Sequence, residues 1–236
     1  MTVKLHATSR SVVVVGAFNP TIFHPSWFRL HQLVSADDER SALDAGEGIV
    51  SSEMTSVPFP ICQVDVRRDR LQATARAPDT FDPTIDLVVA ALRLLGHTRV
   101  SAFGLNYEAH VDLGGYENLD RFGQLLAPQE PWNPVTDELS TQDFDIEGMR
   151  SLTMEFMAQE FGMRRQVRIE PSAKFKHAAY FHVNHHVWSV WPVPDSDDPR
   201  DFTVAADETA VRIAEMASAS FEASGDHVEA LVDRVL

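Results

Sequence analysis

Apolar residues follow two different periods along this chain, and the switches between them mark out its elements. Ser11–Val15 is a continuous β-branched run ended by Gly16, the pattern of a buried strand. Phe18–Phe28, FNPTIFHPSWF, turns through two prolines into a short helix, with Pro25 in its first turn and Trp27, Leu30 and Val34 on one face. Ala36–Gly48 is polar and reads as a loop or a frayed helix. Ile61–Val66 and Leu71–Ala75 alternate on either side of Arg67-Arg68-Asp69-Arg70, a hairpin pattern. The clearest helix follows: Asp82 as its cap, Pro83 in the first position, a stripe of Ile85, Val88, Val89, Leu92 and Leu95, and Gly96 as its stop. Arg99–Asp112 returns to period two.

From Gly114 to Gly148 the periodicity lapses, and Pro128, Pro131 and Pro134 crowd together. Structureless loops longer than about 12–15 residues are uncommon unless they link or recognise something, so this stretch reads as a linker or a recognition loop. Phe122 and Trp132 are the side chains expected to pin it to the body. Alternation resumes at Leu152, Met154 and Phe156 and again at Val167 and Ile169, predicting two half-buried antiparallel strands with Gly162 near their connection. Ala178–Val190 predicts a third. Beyond a Pro- and Asp-rich loop, Ala206, Ala210, Ile213, Ala217 and Phe221 predict a helix that stops near Gly225. Asp226 with Glu229 then opens a last short helix carrying Val228, Leu231, Val232 and Val235.

This order predicts an α+β fold of antiparallel sheet with packed helices. It divides into an N-terminal half (residues 1–113), an acidic Pro-rich insertion (114–148) and a C-terminal half (149–236). The halves share an order of elements that an ancient duplication would explain, although no residues repeat.

Composition sharpens that picture through charge. The 236 residues carry a formal net charge of -15 and a pI near 5.0, which disfavours nucleic acid as a partner. Leu113–Gly148 holds eight acids against one arginine, a net of -7, and Asp195–Leu236 holds eleven against three, a net of -8. The whole excess therefore lies in two segments, and Asp137, Glu138, Asp143, Asp145, Asp195, Asp197 and Asp198 are the candidate contacts for a protein partner with a basic surface. The remainder, residues 1–112 and 149–194, balances overall, and 149–194 is net basic with six Lys and Arg against three acids; Arg67, Arg68 and Arg70 at one turn with Arg164, Arg165 and Arg168 near another are candidates for a phosphate or partner patch.

No apolar run approaches the roughly 18 residues of a membrane span, and the N-terminus lacks the long apolar region of a secretory signal, so the expectation is a cytoplasmic protein. Cys62 stands alone, which excludes an intramolecular disulfide and a multi-cysteine zinc site and reads as a small core residue. Phosphate-cradling glycine loops, the H-E-x-x-H helix and the G-x-S-x-G elbow are all missing. The one chemical concentration is Phe181–Trp188, FHVNHHVW. On a strand His182, Asn184 and His186 share a face and His185 takes the other. The β-carbons of His182 and His186 would stand roughly 13 Å apart, too far for one metal unless the strand bends. His182, His185 and His186 are thus weak metal candidates on what reads first as the polar face of a sheet, and no cofactor is expected.

FNPTIFHPSWF, AFGLNYEAHVDL and IEPSAKFKHAAYFHVNHH, in that order, resemble a sporadically distributed family of bacterial proteins of about this length and of uncharacterised activity. The resemblance spans nearly the whole chain and implies a bacterial α+β protein, of a distribution suited to accessory genes of defence or toxin systems. It carries over no catalytic residue. The expected function is a non-catalytic protein-binding accessory protein, antitoxin-like or defence-associated, using its acidic surfaces. The competing expectation is a metal-assisted hydrolase built on the histidine strand, and a third is a homo-oligomer joined at sheet edges.

Overall fold

Val12 and Val14 are fully buried whereas Val15 is exposed, so the β-branched run is covered on one face only. The computed structural model describes residues 4–135, 148–158, 162–193 and 195–235. In chain order they form β1 (Lys4–Gly16), α1 (Pro25–Leu30), α2 (Ala36–Asp44), β2 (Ile49–Val50), β3 (Met54–Pro58), β4 (Cys62–Arg67), β5 (Arg70–Ala75), α3 (Phe81–Leu94) and β6 (Arg99–Asp112). These are followed by α4 (Tyr116–Leu126), β7 (Leu152–Ala158), β8 (Met163–Pro171), β9 (Ala178–Trp188), β10 (Val204–Ala205) and α5 (Ala206–Val235).

The strands make a single antiparallel sheet in the order β2-β3-β4-β5-β1-β6-β9-β8-β7, with β10 on β6. It is the α+β architecture that the alternating patterns predict. The order of elements repeats about the central β1·β6 pair. A long strand, three meander strands whose last returns beside it, and a helix occur once as β1, β3–β5 and α3 and again as β6, β7–β9 and α5. The sheet runs unbroken through both sets, because β6 pairs with β1 on one side and β9 on the other.

Period two assigns the two faces. Val12, Leu71, Val64, Leu105, Val183 and Val167 belong to the face that joins the core with Phe81, Leu92, Ile213 and Phe221 of α3 and α5. The opposite face is polar, and register aligns it in rows: Thr74, Ser11, Asn106, Asn184, Gln166 and Glu155 lie across six successive strands. Burying one face of a sheet under helices while the other stays polar produces this alternation.

Several local expectations are corrected. Ala36–Asp44 is a true helix, because Ser35 and Asp38 form a reciprocal capping box. α3 begins at Phe81 after Thr80, ahead of the expected cap Asp82. Leu30 is exposed while Phe28 fills the core. The 114–148 insertion contains α4, and Phe122 does anchor it, packed edge-on to Phe181 at 5.9 Å; Trp132, the other expected anchor, is exposed. α5 does not stop at Gly225. Val228 and Val232 continue the buried stripe of Ile213 and Phe221, and each such burial stabilises by roughly 1.5–3 kcal/mol, more than the ~1 kcal/mol a helical glycine costs. β7 differs most from its pattern. It is the last strand of the sheet among the described residues and is exposed on both faces rather than half-buried. No helix among the described residues is long and apolar enough to cross a membrane.

Candidate functional site

β9 sets its three histidines as alternation dictates. His182 and His186 lie on the polar face, opposite Glu108 and Gly104 of β6 and beside Arg168 and Arg164 of β8. His185 turns to the helix face, where it is buried, and its Nε2 lies 2.9 Å from Ser224 Oγ of α5. Burial and the facing arginine push His186 below the usual imidazole range. His182 is pushed down by burial, with Glu108 opposing. His185 falls to about 4, from burial first and then from Arg165 and His227. Among the described residues no three His, Cys, Asp or Glu side chains gather in a metal-holding group.

The basic candidates stay apart. Arg67 and Arg70 flank the β4–β5 turn and Arg68 pairs with Glu53 at 2.6 Å. β1, β6 and β9 separate β5 from β8, four spacings or roughly 19 Å. Alternation divides the β8 arginines again. Arg164 and Arg168 share the polar face and pair with Glu155 (3.7 Å) and Glu170 (3.6 Å). Arg165 lies opposite His185 on the helix face.

The acidic candidates Asp137, Glu138, Asp143 and Asp145 lie outside the described residues. Asp198 caps the turn at Pro199–Phe202 and holds Arg200 at 2.6 Å, and that guanidinium keeps its carboxyl below the usual range. Asp195 and Asp197 stand nearby at the surface, Asp197 beside Arg99 and Arg200 in a shallow depression.

Between the start of β8, the end of β9 and the first half of α5 opens a cleft of about 720 Å³, within the usual size for small-molecule sites of roughly 300–1,000 Å³. Arg165, His185, Trp188, Trp191, Arg212 and Glu215 line it. The two tryptophan rings lie 5.3 Å apart and tilted by 31°. Gly162 makes room for Trp191: an added Cβ there would sit 2.5 Å from the Trp191 Cβ. Arg212 reaches across from α5 and donates to the Trp188 and Ser189 carbonyls. Burial lowers the proton affinity of both arginines.

Of these cleft residues, Arg165 and His185 stand out in the sequence. Arg212, Trp191 and Glu215 do not, since nothing local distinguishes them from a solvated arginine, a core aromatic and a helix-surface acid. No family model matches this chain, and no curated protein matches it. Residue roles therefore rest on the geometry alone.

Proposed function

We propose that this chain is a non-catalytic protein-binding protein, a cytoplasmic accessory component of bacteria of the antitoxin-like or defence-associated kind. Its partner docks on β7 and is steered there by the acidic segments. One observation carries this reading: β7 is a seven-residue strand that ends the sheet among the described residues, with Met154 51% and Phe156 54% exposed and Met157 exposed on the other face. A sheet edge that leaves backbone donors, acceptors and large apolar side chains uncovered is a template for another chain, and proteins that do not use such edges blunt them. The net -7 segment ends three residues before this strand in the sequence, and an excess of acidic charge raises the encounter rate with a cationic partner.

The competing reading, a metal-assisted hydrolase, gains no support from the histidine strand, because its histidines are divided between two faces. Affinity capture from extract of the source cells, at low and at high salt, tests the proposal. A basic protein retained at low salt by the native chain, and lost when Met154 and Phe156 are replaced by Lys, supports it. Capture of nothing at low salt, or of the same protein by both chains, overturns it.

A further inference from the structure

The cleft between β8, β9 and α5 holds polar groups that the fold leaves unsatisfied. Of the seven buried side-chain polar atoms without a hydrogen-bond partner among the described residues, Arg165 Nε, His185 Nδ1 and Ser189 Oγ belong to residues lining this one cleft. Buried polar groups are nearly always paired, so a cluster of orphans points to an occupant. Arg165 makes no ion pair with a carboxylate among the described residues; its nearest side-chain polar contact is His227 Nδ1 at 3.5 Å. Its neighbours Arg164 and Arg168, on the other face, do have carboxylates.

The tautomer of His185 follows from its neighbours. Ser224 donates its hydroxyl proton to the Ser220 carbonyl at 2.7 Å, so it accepts from His185 Nε2–H. Nδ1 is then a bare acceptor.

We infer that this cleft binds a small ligand in which an anionic group is joined to a planar ring: the anion on Arg165 with Arg212 beside it, the ring against Trp188 and Trp191. Guanidinium is suited to phosphate and carboxylate because its donors form a planar fork, and the tryptophan faces supply stacking area. His185 Nδ1 remains to accept a hydroxyl or N–H of the ligand, and Glu215 stands in the cleft as a charge that opposes the anion. A chain of net charge -15 repels anions in general, so saturable anion binding reports a built site rather than diffuse attraction. Nucleoside monophosphates and aromatic carboxylates share this chemistry.

Calorimetric titration of the full chain at low salt with AMP, UMP, 4-hydroxybenzoate, adenosine and inorganic phosphate tests the inference and separates the two sources. The expected result is saturable binding of a nucleotide or of the aromatic carboxylate, about tenfold or more tighter than adenosine or inorganic phosphate, and weakened about tenfold to a hundredfold by Arg165→Ala, since hydrogen bonds to charged groups are worth that much. Arg68→Ala, at the distant turn, leaves binding unchanged. Glu215→Gln removes a negative charge from the cleft and strengthens binding several-fold, a gain that misfolding cannot imitate. Absence of binding by every ring-bearing anion, equal affinity for inorganic phosphate, or full affinity in Arg165→Ala overturns the inference.

Discussion

His185 Nε2 and Ser224 Oγ lie 2.9 Å apart in the buried seam where α5 crosses β9. This pair ties the long C-terminal helix to the sheet through a polar contact between Val183 and Val187, both fully buried. It also makes the fold sensitive to acid. His185 titrates at about 4 in the folded chain and near 6.5 when unfolded, so between those values the unfolded chain holds the extra proton. The neutral imidazole contributes in full above pH ~6.5, and the contribution is lost as pH falls through about 4, an effect on the order of 3 kcal/mol. His182, His186 and His110 are lowered as well and act in the same direction. Urea midpoints measured from pH 7 to pH 4 should fall, and fall less steeply in His185→Gln. Equal slopes in the two chains would contradict this role.

Cys62 is fully buried, and burial pushes its thiol up to about 12 against the opposing effects of Thr84 and Arg76. At pH 8 about a thousandfold less thiolate is present than in a thiol titrating at 9. A disulfide reagent should therefore leave the native chain unlabelled over minutes and label one thiol in denaturant. Rapid labelling of the native chain would show that the β4 core opens.

Gly162 adopts φ +54° and abuts Trp191, while its carbonyl accepts from the Trp188 amide at 3.0 Å. Gly162→Ala adds both backbone strain and a clash, so a loss of about 1–3 kcal/mol is expected. Near-ultraviolet dichroism should change with it, because Trp188 and Trp191 must shift. An unchanged spectrum and melting temperature would remove Gly162 from the architecture of the cleft.

Met154→Lys and Phe156→Lys replace exposed side chains that the fold does not use. Each should alter stability by no more than about 0.5 kcal/mol while lowering any self-association of the isolated chain. Light scattering at high concentration with thermal melts distinguishes the two effects. A fall in stability of several kcal/mol would mean that these residues belong to a covered core.

The β4–β5 hairpin, α3 and β6 are legible in sequence because their patterns are local: alternation around a turn, or a stripe on one helix. The stop expected at Gly225 gives one glycine more weight than the pattern around it. Ala217, Phe221, Val228 and Val232 keep helical spacing across Gly225, and that periodicity outweighs a single glycine. The exposure of β7 is not legible, since Leu152, Met154 and Phe156 alternate as they would beneath a helix, and only tertiary placement decides whether one lies there. The cleft is hidden for the same reason. Arg165 and Arg212 are distant in the chain and meet only because α5 lies across the β8–β9 end of the sheet. Alternation does foretell that Arg165 parts from Arg164 and Arg168, and that His185 parts from His182 and His186.

Amide hydrogen exchange across Leu152–Ala158, in the free chain and in its captured complex, tests the docking edge most directly. Added-strand pairing on β7 predicts that its outward amides exchange at least about tenfold more slowly in the complex, while the central strands β6 and β9 are unchanged. A complex that leaves β7 exchange untouched and protects another surface would contradict it.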